Sequence, residues 1–194
     1  VFTYTLTDGD GDTSSAELVI SIDDKGVTVS DLTPEVRGGD ATVWESGLAD
    51  GSAGPDTTLT IQTGTFTISA PDGLQSLKVG DTVMSESDLL GASGSPITIA
   101  GGPAYGTLEI TGYNNTTGEV SYRFTLTDNT LTHTNTTADA TPGDVGSADQ
   151  VFANYNVIVT DADNDSNSAS PAVLSIAVND DGPDAVNDVA AATN

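Results

Sequence analysis

The chain has no cysteine, a single histidine and only four basic residues, Lys25, Arg37, Lys78 and Arg123. Without thiols there is no disulfide framework and no thiolate chemistry. One His and no Cys also leave zinc without its usual ligand sets. His133 lies in a Thr- and Asn-rich stretch, and neither a Gly-x-Ser-x-Gly elbow nor a His-Glu-x-x-His motif occurs, so no catalytic residues and no enzymatic activity are expected. The four cations are scattered singly, whereas nucleic acid and anionic membranes are bound by clustered Lys and Arg. No apolar run approaches the roughly 20 residues that span a bilayer, so direct membrane insertion is not expected. The opening Val1-Phe2-Thr3-Tyr4 is neither an initiator Met nor a signal peptide, and the chain is expected to be a segment of something longer. Helical periodicity is scarce as well: only Ser85-Glu86-Ser87-Asp88-Leu89-Leu90 carries a start signal, for one short turn.

Acid is what the chain has in excess. Twenty-nine acidic residues against four basic ones give a formal net charge of −25 over 194 residues. Only Glu17, Glu35, Glu45, Glu86, Glu109 and Glu119 are glutamate. The rest are aspartate, the residue of turns and oxygen-rich loops. The plain reading of this acidity is solubility, or a salty medium in which ions screen repulsion beyond about 10 Å. The specific reading is a cation partner.

Strict alternation marks the strands. Phe2, Tyr4 and Leu6 alternate with Thr3, Thr5 and Thr7, and Leu18, Ile20 and Ile22 follow, so residues 1–24 read as a hairpin. The pattern returns in Tyr155, Val157 and Val159, then in Leu174, Ile176 and Val178. Thr7 to Asp12 align with Thr160 to Asp165 at an offset of 153 residues, and Leu18, Ile20, Asp24 and Gly26 align with Leu174, Ile176, Asp180 and Gly182 at 156. A three-residue loop insertion accounts for the change of offset. The predicted organisation is therefore a terminal hairpin of a preceding repeat over 1–24, a complete repeat over 25–182, and a linker or start of a next repeat over 183–194. The alternative is that residues 1–24 complete this same domain.

Inside the complete unit, strands are expected at Val27 to Val29, Thr42 to Trp44, Leu59 to Ile61, Thr65 to Ile68, Leu108 to Ile110 and Tyr122 to Leu126. Residues 127–150 are expected to form a long loop, and Trp44 to pack in the core. The fold class is all-β, an immunoglobulin-like β-sandwich larger than the roughly 100 residues of a minimal domain.

Asp8-x-Asp10-x-Asp12 and Asp161-x-Asp163-x-Asp165 place carboxylates at alternate positions of short turns, where several converge on one hard cation; calcium takes six to eight oxygens at about 2.3–2.6 Å. Neither is an EF-hand, because Val19 and Ala172 stand where the bidentate Glu belongs. Solvated turn aspartates are the competing reading. Asp23 and Asp24 at one boundary, and Asp180 and Asp181 at the other, are candidate ligands between repeats. Glu45 and Asp128 complete the candidate set.

Tyr4-Thr5-Leu6-Thr7-Asp8-Gly9-Asp10-Gly11-Asp12, Tyr105 to Tyr113 (YGTLEITGY) and Gly118-Glu119-Val120-Ser121-Tyr122 together resemble the extender-type immunoglobulin-like repeats of giant type I-secreted RTX adhesins. The resemblance implies calcium-dependent rigidity, adjacent repeats of the same polypeptide as partners, secretion to the Gram-negative cell surface, and projection of a distal ligand-binding domain in adhesion or biofilm formation. It maps Asp8, Asp10, Asp12, Asp161, Asp163 and Asp165 onto acidic calcium loops, and Asp180 and Asp181 onto an inter-repeat linker. The glycine-rich nonapeptide array of such proteins is missing, Gly38-Gly39-Asp40 being an isolated fragment of it. The alternative function is a calcium-dependent carbohydrate- or protein-binding module presenting Tyr105, Tyr113 or Trp44.

Overall fold

The structure, a computed structural model, describes residues 1–21, 24–130 and 150–181. Among the described residues twelve strands form three sheets. A two-stranded hairpin pairs β1 (Phe2–Thr7) with β2 (Thr13–Leu18). One five-stranded sheet contains β3 (Thr28–Ser30), β5 (Ile61–Ser69), β8 (Ile97–Thr98), β9 (Gly106–Asn114) and β10 (Glu119–Leu126), in the spatial order β3-β5-β10-β9-β8. The other contains β4 (Ala41–Trp44), β6 (Leu74–Val79), β7 (Thr82–Met84), β11 (Gln150–Asp161) and β12 (Ala172–Asn179), in the order β4-β12-β11-β6-β7. All pairings are antiparallel except β4 with β12. After the hairpin, the chain thus enters one sheet of the sandwich at β3 and crosses to the other at β4.

The two five-stranded sheets bury one core between them, as a sandwich must when each sheet is apolar on one face. Alternation supplies it: Val120, Tyr122, Phe124 and Leu126 of β10 face Tyr155, Val157 and Val159 of β11 and Leu174, Ile176 and Val178 of β12, all buried. Phe66 and Tyr122 bring their rings to 6.5 Å between centroids. At several glycines the backbone approaches so closely that no side chain fits, Gly118 and Gly39 among them. At Gly118 (φ +76°) a Cβ would fall 2.0 Å from the Ile68 carbonyl oxygen, and at Gly39 (φ +75°) 2.6 Å from that of Ser175.

Several expectations need correction. Leu59 lies in a helical turn, α1 (Thr57–Thr60), because the Asp56 side chain caps the Thr58 amide at 2.8 Å; the strand starts only at Ile61. Trp44 is half-buried, and the core residue of β4 is Val43. Strand β2 stops at Leu18, so Ile20 is in no strand, and Ile22 lies outside the described residues. The expected short turn exists as α2 (Glu86–Gly91), with Ser85 and Asp88 forming a capping box. Of the loop expected at 127–150, residues 127–130 are irregular and 131–149, with His133, lie outside the described residues, as do 183–194. Among the described residues β1 pairs only with β2, so the hairpin adds no strand to either sheet of the sandwich. Among the described residues no helix is long and apolar enough to cross a membrane.

Candidate metal centre

The two Asp-x-Asp-x-Asp segments share one backbone turn. In each, the first Asp amide donates to the carbonyl of the last, Asp8 to Asp12 at 3.0 Å and Asp161 to Asp165 at 3.1 Å. The amide of the last Asp donates to Oδ1 of the first, at 2.9 Å in the first loop and 2.7 Å in the second. The fourth residue takes positive φ, Gly11 at 98° and Asn164 at 77°, which explains why Gly and Asn alternate at this place. The inserted residues of the second loop are the 3-10 turn Asn167–Ala169, set just after the Thr160–Ser166 bridge that matches the Thr7–Thr13 pair. Asn167 then replaces ladder bonds, accepting from the Val159 amide at 2.8 Å and donating to the Val157 carbonyl at 3.0 Å.

The surroundings differ. Asp8, Asp10 and Asp12 gather one oxygen each within 4.8 Å of one another, all exposed. Asp161, Asp163 and Asp165 do the same beneath the turn joining β5 to β6, where the Ala162 amide donates to the Gly73 carbonyl at 2.9 Å. That turn brings Asp72, and the segment leading out of the hairpin brings Asp24: Asp24, Asp72 and Asp163 form a second triad within the same 4.8 Å limit. Gly26 follows so closely that a Cβ there would touch Asp165 Oδ2 at 3.6 Å. Five carboxylates from three chain segments therefore meet, with Asp163 common to both triads.

Asp161 is fully buried, and its Oδ2 has no hydrogen-bond partner among the described residues. Such an atom costs free energy unless something positive faces it. Burial, and then the adjacent Asp163 carboxylate, push the Asp161 carboxyl above its ordinary range. Asp165 is pushed up first by the charge of Asp24, then by burial. The exposed Asp8 is instead held below that range by hydrogen bonding with the Asp10 side chain and the Asp12 amide. An all-carboxylate donor set suits a hard divalent cation that tolerates irregular geometry.

No protein-family model matches the chain, nor does any curated protein or solved structure.

The remaining sequence candidates join no carboxylate group among the described residues. Glu45 is buried and accepts from the Thr130 amide at 2.6 Å and hydroxyl at 2.7 Å. Asp181 accepts from the Ser52 amide at 2.6 Å and hydroxyl at 2.5 Å, and Asp128 accepts from the Asn129 amide at 2.9 Å. Asp180 stands in none of the groups, and Asp23 lies outside the described residues. Sequence reasoning missed Asp72, whose only local signal is the turn Pro71-Asp72-Gly73. Tyr105 and Tyr113 pack against the core and Trp44 is half-buried, so none of the three stands out into solvent.

Proposed function

We propose that this chain is a calcium-braced structural module, a spacer of a secreted bacterial surface adhesin, in which one cation site ties the hairpin's exit segment to the sandwich. The observation that carries the reading is the buried, unpartnered Oδ2 of Asp161 among the carboxylates of Asp163, Asp165, Asp24 and Asp72. Calcium would supply the positive charge that these residues lack, and the site residues would hold the linker by ligating the same ion as the loop. The adhesin assignment rests on the motif resemblance and on the duplicated Asp-x-Asp-x-Asp hairpin.

Thermal unfolding with calcium, with chelator and with sodium at matched ionic strength tests it. A ligand at a hundred times its Kd stabilises the folded state by about 2.7 kcal/mol, so calcium should raise the midpoint by several degrees beyond sodium. Asp163→Ala, which removes the shared ligand, should abolish that difference. Equal midpoints in calcium and sodium, or an unchanged calcium response in the variant, would refute the site.

A further inference from the structure

The hairpin β1–β2 carries an apolar face that no described residue of the sandwich covers. Phe2, Tyr4, Leu6 and Leu18 are 65%, 56%, 68% and 53% exposed. They lie on one side of the pair, Phe2 opposite Leu18 and Tyr4 opposite Ala16, while Thr3, Thr5, Ser15 and Glu17 occupy the other. Two strands alone are marginal in water, and an aligned apolar face of this kind calls for a partner.

The same hairpin occurs again in this chain with its partner in place. At the offsets of the repeat, Phe2, Tyr4 and Leu6 correspond to Tyr155, Val157 and Val159, and Ala16 and Leu18 to Ala172 and Leu174. The register agrees pair for pair: Phe2–Leu18 matches Tyr155–Leu174, and Tyr4–Ala16 matches Val157–Ala172. The Asp loops at the two hairpin ends share their hydrogen bonds and their positive-φ residue. In β11–β12, however, the corresponding Tyr155, Val157, Val159 and Leu174 are at most 1% exposed. What covers them is the body over residues 28–130, with β6 antiparallel to β11, β4 parallel to β12, and the opposing sheet across the core.

We propose that β1–β2 is the closing strand pair of a second sandwich, and that its apolar face docks on a copy of this chain's own 28–130 body. The pairing is specified. Tyr4 and Leu6 take the places of Val157 and Val159, opposite the counterparts of Val79 and Leu77 on that body's β6. β4 meets β12 only from Ile176 onward, which corresponds to Ile20. Ile20, two residues past the end of β2, is thus the first position that would lie beside that body's β4. Docking also buries Asp8 as Asp161 is buried, and gives its loop the counterpart of Asp72. Face-to-face association of two hairpins would cover the same side chains but leave both strand edges unpaired and the shared register without a cause.

This inference deepens the spacer reading by naming the hairpin's partner, and it requires no metal. The test is a fusion in which a copy of residues 25–153 precedes Val1 of the full chain, so that two identical bodies are followed by different hairpins. Hydrogen exchange is read in chelator and again in calcium. In the unfused chain the β1–β2 amides should exchange rapidly; in the fusion they should slow by at least about a hundredfold, as members of a cooperative sheet do. Leu6→Asp in the fusion should undo the slowing without affecting β11–β12. Unchanged β1–β2 exchange, or an added body left unprotected while the identical downstream body stays folded, overturns the proposal. So does protection in the unfused chain that rises with its concentration, which would make a second hairpin the occupant. Protection in chelator without a calcium response would uphold the docking while refuting the metal site, so the two failures are separable.

Discussion

At the scale of single residues, Asp161 and Asp8 have the same sequence role and opposite electrostatics, because one is covered by the turn bearing Asp72 and the other is not. Like charges so close raise the free energy of the metal-free fold, and a divalent cation reverses the sign of their contribution. Asp72→Asn is the clean probe, since Asp72 is exposed and no core packing depends on it. In chelator the variant should melt higher than the native chain, one repulsion having been removed; in saturating calcium it should melt lower, one ligand having been lost. A variant shifted the same way in both conditions would show that Asp72 acts apart from the ion. Alternate spacing made the Asp161, Asp163 and Asp165 loop legible, and the acidic boundary made Asp24 a candidate. Asp72 was not legible: a Pro-Asp-Gly turn is common, and only the fold brings it to a loop some 90 residues on.

At the scale of elements, period-two alternation located most strands, because most bury one face only; β12 is buried on both from Leu174 to Asn179. Alternation misled where a polar cap intervened. Leu59 continues an apolar rhythm, yet Asp56 offers the backbone a helical turn and the strand begins at Ile61. Helix α2 was legible from Ser85 and Asp88, which bond reciprocally while Leu89 fills the core. The Ser85 hydroxyl, then its amide, hold the Asp88 carboxyl below its ordinary range. A depressed carboxyl contributes stability above its unfolded value and loses it as pH falls through the folded one. Ser85→Ala, which removes both the cap and this partner of the carboxylate, should lower stability in urea unfolding near neutral pH. Its deficit should narrow in acid as Asp88 is protonated; a deficit independent of pH would mean that the pair does not act through the carboxylate.

At the scale of the whole molecule, the hairpin and the sandwich share no strand pairing among the described residues, so their mutual orientation depends on how the chain between them is held. A Gly-containing acidic segment samples many directions unless something restricts it. Asp24 meets Asp72 and Asp163 within 4.8 Å, so an ion held there would remove that freedom at one point close to the sandwich. The lack of cysteine permits a direct measurement, because two introduced thiols would be the only sites for spin labels. Thr3→Cys on β1 and Val83→Cys on β7 place both labels on exposed positions of the two bodies. The distribution of distances between them should be broad in chelator and narrow in calcium, with sodium at the same ionic strength leaving it broad. Asp24→Asn should keep it broad in calcium while the sandwich retains most of its calcium-dependent midpoint shift, since Asp161, Asp163, Asp165 and Asp72 remain. A distribution equally narrow with and without calcium would place the rigidity in the backbone of the segment and not in the carboxylates.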